Sequence, residues 1–271
     1  MTTSLITQRV LHQAADVSIA LGDYRTGVYA MTYVAGQRLY VGTSAPMNSL
    51  WLELATAAVI ATGAPVVEVW YNQSWVAVVD VIEETAAMTV SGRISWSLDL
   101  FKGWDYEQLS TTVGIANTSI FNRYWLRISW PNNFSATIGF IGQKFSNDLS
   151  FASTYPDLMQ PAILTGFKAG KTNWNEQHFM SAEFIVKDLR RRNIILKRGQ
   201  IMDWTVFEEA SNHKVAELVY QAFGAAYKDQ AIEARKKYEI EMSTRTYVID
   251  VSMDGYLSDS EAEHKSGWMT R

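Results

Sequence analysis

The sequence predicts an α+β fold: an antiparallel β-sandwich or barrel-like domain followed by a C-terminal helical hairpin and an extended tail. Two observations carry this expectation. Up to about residue 145, short apolar runs with a side-chain period of two are separated by Gly, Asn, Ser and Pro. From residue 173 the apolar period changes to three or four, the spacing of one face of a helix. At 271 residues and 48% hydrophobic content, the chain can bury one large core or two ordinary ones. The expected organisation is a β-rich domain over residues 1–150, a turn-rich connector over 151–172, a helical region over 173–245, and a strand with an acidic Asp-Gly tail over 246–271.

Strands are expected at residues 28–34, 38–41, 50–54, 66–71, 75–82, 93–97, 124–130 and 137–141. Residues 50–61 read equally well as a short helix, because Ala and Leu are good helix formers. In 66–71, Val66, Glu68 and Trp70 alternate with Val67, Val69 and Tyr71, and Asn72 to Ser74 supplies a turn. The run 75–82 is nearly all apolar and is expected to be covered on both faces. Tyr124, Leu126, Ile128 and Trp130, set against Trp125, Arg127 and Ser129, predict a half-buried strand that stops at Pro131. The six tryptophans at 70, 75, 96, 104, 125 and 130 are read as core and cross-strand packing, with exposed sugar-stacking faces as the sharper alternative.

In the helical region, Asn173 with Glu176 has the spacing of an N-cap and its partner carboxylate, so a helix is expected over 174–189. Thr205 with Glu208 matches a capping box. Phe207, Val215, Leu218 and Ala222 form an apolar stripe with Ser211 as its polar exception. Beyond Gly224, a break, Tyr227, Ala231, Ala234 and Tyr238 repeat the stripe, giving a hairpin or one long kinked helix.

Two segments resemble structural proteins of tailed bacteriophage virions. The first is VEVWYNQSWVAVVDVIEETAAMTVSGRISWSL, through Tyr71, Asn72, Trp75, Asp80, Ser91, Gly92, Ile94 and Trp96. The second is YQAFGAAYKDQAIEARKKYEIEMSTRTYVIDVSMDGYLSDSE, similar to a helix followed by an Asp-Gly tail in some of those proteins. Together they cover well under half of the chain. The resemblance implies a virion location and a non-enzymatic role in a neck, collar or head-to-tail connector. It also implies assembly as copies of itself in a ring against portal, connector or tail proteins. A tail or baseplate position is the neighbouring alternative, and a carbohydrate- or receptor-binding sandwich module is a different class.

Chemistry-bearing motifs are few. Asp250, Ser252, Asp254, Tyr256 (through its carbonyl) and Glu261 satisfy the spacing of a calcium loop, with Gly255 at the sharp turn, so Ca2+ is the one cofactor the sequence suggests. The same residues also read as a surface Asp-Gly turn leading into an acidic tail. Lys187, Arg190, Arg191, Arg192, Lys197 and Arg198 form a basic stretch suited to an acidic partner face or a helix C-terminus, and less to DNA, because no nucleic-acid module surrounds it. With 24 Lys+Arg against 28 Asp+Glu there is no global basic field. The absence of cysteine excludes disulfides and thiolate chemistry. His12, His178, His213 and His264 show no metal or triad spacing, and no phosphate loop or nucleophile elbow is present, so no enzyme is expected. No secretory signal and no membrane-spanning run is read.

Overall fold

The computed structural model describes residues 7–13, 15–22, 27–97, 104–107, 123–196 and 198–251. The chain divides into two compact units, the first formed by residues up to Gln143 with Gly199–Met202 and Asp250, the second by Lys144–Arg198 and Asp203–Ile249. The expected connector 151–172 is helical and belongs to the second unit.

The first unit holds two antiparallel sheets. One has the order β2 (Ala15–Asp16), β1 (Thr7–His12), β4 (Leu39–Thr43), β11 (Arg123–Ser129), β6 (Val66–Tyr71), β7 (Ser74–Ala77), with β10 (Tyr106–Glu107) also pairing β11. The other has the order β3 (Tyr29–Tyr33), β12 (Phe134–Gly142), β5 (Ser49–Thr56), β9 (Gly92–Ser95), β8 (Ile82–Glu83). A short helix, α1 (Ser18–Leu21), follows β2. His12 of the first sheet stacks on Tyr33 of the second at 6.4 Å. The Tyr33 hydroxyl accepts from the Trp130 N–H at 2.9 Å, so the inner faces share one core. The α+β class with a sandwich-like domain is therefore the fold of this chain.

Several strand expectations change in detail. Residues 49–56 are a strand and not a helix: β5 pairs with β9 on one side and β12 on the other, and this pairing overrides helical propensity. The run 75–82 is not covered on both faces. β7 ends at Ala77 as an edge strand, the backbone turns at Asp80 with φ 53°, and Ile82 joins the other sheet while remaining 62% exposed. β11 is buried on both faces, because Trp125 as well as Leu126 and Ile128 is fully covered. β1 carries no clear alternation and went unrecognised in sequence.

The resemblance motif has local physical reasons. Asn72 and Gln73 take φ 49° and 59°, the backbone of a two-residue hairpin turn whose twist matches its strands. A Cβ on Gly92 would lie 2.4 Å from the Glu84 carbonyl oxygen, so only glycine lets β8 and β9 approach. The Ser91 hydroxyl accepts the Leu54 N–H at 2.8 Å, and Ile94 and Trp96 are buried.

The second unit contains α2 (Asp148–Thr154), α3 (Pro161–Phe167), α4 (Asn175–Arg191), α5 (Glu208–Ala222) and α6 (Lys228–Thr244). Phe151, Leu158, Leu164, Trp174, Val215, Ala216, Val219 and Ala234 form one of its cores. α4 begins after Trp174, whose N–H donates to the Asp148 carboxylate at 3.0 Å; Asn173 only turns the chain, accepting from the Asn175 N–H. At Thr205 there is no capping box. Asp203 accepts from both the N–H and the hydroxyl of Thr205 at 2.9 and 2.7 Å, and a 3-10 turn precedes α5. The α5 stripe is rotated: Val215, Ala216 and Val219 are buried, whereas Ala222 is exposed. α5 and α6 form a hairpin broken at Gly224, φ 78°, and Ala231, Ala234 and Tyr238 of α6 are buried as expected.

Candidate functional site

Three arrangements of side chains could carry chemistry or binding. The first is a buried polar chain in the second unit. The His178 imidazole lies between the Asp148 carboxylate, 3.1 Å from Nε2, and the Ser146 hydroxyl, 2.6 Å from Nδ1. Because a carboxylate only accepts, Nε2 carries the proton and Nδ1 accepts from Ser146. Ser146 in turn meets Ser211 at 2.6 Å, and Ser211 meets Ser181 at 2.5 Å. Burial pushes His178 down to about 4. Burial alone would raise Asp148; the His178 hydrogen bond and charge, the Trp174 N–H and Lys144 hold it below its ordinary value. The constellation has the composition of a Ser-His-Asp triad, yet His178 and Ser211 are 0% exposed and Ser146 is 2% exposed. A hydroxyl enclosed between an imidazole and another serine has no room for an attacking trajectory on a substrate. The chain is a clasp joining the start of α2 to α4 and α5.

The second arrangement is the outer face of the first sheet. Register places Tyr40, Arg127 and Glu68 in one row across β4, β11 and β6. Trp70 pairs with Trp75 across the β6–β7 hairpin. Arg127 forks onto Glu68 at 2.5 and 2.8 Å, and its guanidinium lies 4.6 Å from the centre of the Trp75 ring. Tyr40 and Trp70 flank Trp75 at 5.7 and 5.2 Å, and Trp125 forms the floor. Gly42 makes this floor possible, because a Cβ there would sit 2.7 Å from the Trp125 ring. The packing reading therefore describes Trp96, Trp104, Trp125 and Trp130, all buried, while Trp70 and Trp75 remain half-buried on a polar-edged aromatic face.

The third is the loop between β5 and β6. Val59 is 98% exposed and Ile60 72% exposed, yet the loop base is held firmly. The Ala58 N–H donates to the Met88 carbonyl at 2.9 Å and the Thr62 N–H to the Ala87 carbonyl at 3.1 Å. Asn132 donates to the Thr62 carbonyl at 2.9 Å. The carbonyls that hold the base belong to an unusual turn: Ala86, Ala87 and Met88 have φ 44°, 57° and 70°, three successive left-handed residues without a glycine. Each costs about 1–2 kcal/mol against the right-handed form. The Glu83 carboxylate offsets part of this by accepting the Ala87 N–H, and the Thr85 hydroxyl accepts the Met88 N–H at 3.2 Å.

No protein-family model and no curated protein matches the chain. Two solved structures are similar over about half of it. The chitosan-binding module 1 derived from chitosanase/glucanase from Paenibacillus sp. IK-5 is 12% identical, with 51% of this chain and 95% of that one covered, at a TM-score of 0.31. The crystal structure of SpGH29 is 12% identical, with 52% of this chain covered, at a TM-score of 0.29; the match spans only 27% of that chain.

The residues singled out in sequence are dispersed. Of the calcium-loop set, Ser252, Asp254, Tyr256 and Glu261 lie outside the described residues, and Asp250 is buried with its N–H donating to the Gln200 carbonyl at 2.9 Å. Among the described residues, no group of three or more His, Asp or Glu side chains is placed to hold a metal ion. In the basic stretch, Arg190 and Arg191 occupy the last turn of α4, and Arg191 lies 3.6 Å from Asp188. Arg192 donates to the Met242 carbonyl at 2.8 Å, and the Lys187 ammonium lies over the Phe184 ring at 5.5 Å. Lys197 and the Arg198 side chain lie outside the described residues. In the extended segment after residue 245, Tyr247, Ile249 and Asp250 are buried. Tyr247 stacks on Phe207 at 5.1 Å. The His178 clasp is not visible in the sequence because its members, Ser146 and Asp148, His178 and Ser181, and Ser211, come from three separated stretches of chain. Sequence reasoning missed the Val59–Ile60 tip because an apolar run without charges reads as core.

Proposed function

We propose that this chain is a non-enzymatic structural component of a tailed phage virion, a neck or head-to-tail connector subunit that works by binding copies of itself in a ring. The sequence resemblance supports the virion assignment. The observation that carries the assembly role is the Val59–Ile60 tip, two branched apolar side chains held out in solvent by a loop whose base is bonded to the Ala87 and Met88 carbonyls. Exposing them costs solvation, and that cost is recovered when a neighbour covers the tip. The buried state of the Ser146–His178–Asp148 set is consistent with a role without catalysis. Imaging of purified protein and of particles tests the reading. Rings of the free protein, or density for the chain around the head-to-tail axis, are expected; a protein that stays monomeric and is missing from particles rejects it.

A second reading rests on the aromatic face of the first sheet. Tyr40, Trp70 and Trp75 beside the Arg127–Glu68 fork combine flat apolar rings with charged hydrogen-bonding groups, the pairing that a sugar ring needs on its C–H face and its hydroxyl edge. If the face binds glycans, oligosaccharides added to the protein should shift tryptophan fluorescence saturably, and Trp75→Ala should weaken binding at least tenfold. An unchanged spectrum across neutral, amino and acidic oligosaccharides removes this reading.

A further inference from the structure

The His178 clasp is one hydrogen short. Its side chains run in a single line from the Asp148 carboxylate through His178, Ser146 and Ser211 to Ser181, and the Ser181 hydroxyl closes the line on the His178 backbone carbonyl at 2.8 Å. The line holds five contacts, of 3.1, 2.6, 2.6, 2.5 and 2.8 Å, and a group that can only accept stands at each end. Two electronegative atoms at such distances need a hydrogen between them. Each hydroxyl supplies one and a neutral imidazole supplies one, which makes four hydrogens for five contacts. In the neutral clasp Ser146 donates to Nδ1 and Ser211 to Ser146, so the one Ser181 hydrogen has to serve both the Ser211 oxygen and the His178 carbonyl. A further hydrogen would complete the line, and Nδ1 is the atom that can take it.

We infer that the clasp is a proton-operated switch: a proton bound at Nδ1 of His178 reverses the direction of the whole serine line without opening it. In the charged form Nδ1–H donates to Ser146, Ser146 to Ser211, Ser211 to Ser181, and Ser181 to the His178 carbonyl, so every contact holds its hydrogen. The proton comes from solvent, no bond between heavy atoms changes, and each hydroxyl only turns about its Cβ–Oγ bond. The groups facing the ring set the pH of the reversal. Asp148 on α2 stays on Nε2 in both forms and favours the charge, whereas Lys144 ahead of α2 and Lys171 ahead of α4 oppose it. Ser211 of α5 brings an uncharged hydroxyl. Burial outweighs Asp148 and sets the midpoint at about 4, and Asp148, held below its ordinary carboxylate value, loses its charge at still lower pH. Acid therefore charges the histidine first and leaves α2 tied to α4 and α5, with the polarity of the line and not its connectivity responding to pH.

Ser181, whose hydroxyl bonds only to Ser211 and the His178 carbonyl, carries the test. In Ser181→Ala the neutral line has three hydrogens for three contacts, while the charged line leaves the Ser211 hydroxyl with no acceptor. The substitution should weaken proton binding by His178 about tenfold, lowering its midpoint by about one pH unit in a histidine-ring NMR titration. Mere loosening around the smaller side chain would admit solvent and move the midpoint up toward 6.5, so the sign of the change separates the two causes. Ser181→Thr keeps the hydroxyl and should restore the wild-type midpoint. The wild type gives an independent reading that survives a variant unable to fold. Its ring nitrogen shifts should show hydrogen on Nε2 alone at neutral pH and on both nitrogens below the transition, with the amide signals of α2, α4 and α5 still dispersed. A midpoint unmoved or raised in Ser181→Ala, or a His178 that charges only as the helical unit unfolds, overturns the inference.

Discussion

At the scale of single residues, the His178 clasp makes the clearest quantitative expectation. His178 is neutral in the fold with its pKa down at about 4, while in the unfolded chain it titrates near 6.5. Between those values the unfolded state binds more protons, so stability is full above pH 6.5 and falls as the pH drops toward 4. Asp148, also held below its ordinary value, works in the same direction at lower pH. The charged groups facing the ring include Lys144 and Lys171, which oppose its protonation. The loss assigned to His178 is on the order of 3 kcal/mol. It should appear as a melting temperature that declines over that window and a shallower decline in His178→Gln. Ser211→Ala strips a partner from both Ser146 and Ser181 and should cost about 1–3 kcal/mol in urea unfolding at pH 7. None of this was legible in sequence. Ser211 read as a polar flaw in an apolar stripe, because a stripe shows which face is buried but not what polar group waits opposite.

At the scale of elements, hairpins and helices with strong local signals were readable, and their ends were not. Residues 66–71 form a strand as expected, since their alternation and the Asn72 turn are local instructions. The strand at 49–56 could not be separated from a helix, because its partners β9 and β12 lie about 40 and 90 residues away. Both helix caps expected from spacing were displaced. Asp148 satisfies the Trp174 N–H from 26 residues away, a partner no window reveals. Gly92→Ala should push β9 away from the Glu84 backbone and cost about 1–3 kcal/mol, with the largest amide exchange increases in β8, β9 and the turn that holds the Val59–Ile60 loop. Loss confined to the site of substitution, with the loop unaffected, would show that the turn is held by other means.

At the scale of the whole molecule, two units of different construction are carried by one chain, a sandwich with tips and faces and a helical unit with its hairpin. Chain crossings complicate the simple order of strands then helices: Gly199–Met202 and Asp250 return to the first unit, where the Asn48 N–H donates to the Met202 carbonyl at 3.2 Å. Cutting the gene near residue 150 to isolate the sandwich should therefore give a less stable product than one that retains these segments. A thermal melt of the two fragments compares them directly, and equal melting would show that the returning segments contribute little.

By itself the sequence determined the α+β class, the β-rich first half, the helical hairpin with its break at Gly224, and the lack of cysteine chemistry. Each is a property of composition or of a period within one element. Only the tertiary structure decided that 75–82 splits between two sheets, that Trp70 and Trp75 stay near the surface, that a serine–histidine–aspartate set is sealed as a clasp, and that Val59 and Ile60 face solvent. Those outcomes depend on which distant segment lies against each residue, and burial is a property of the neighbours a side chain meets, not of the side chain alone.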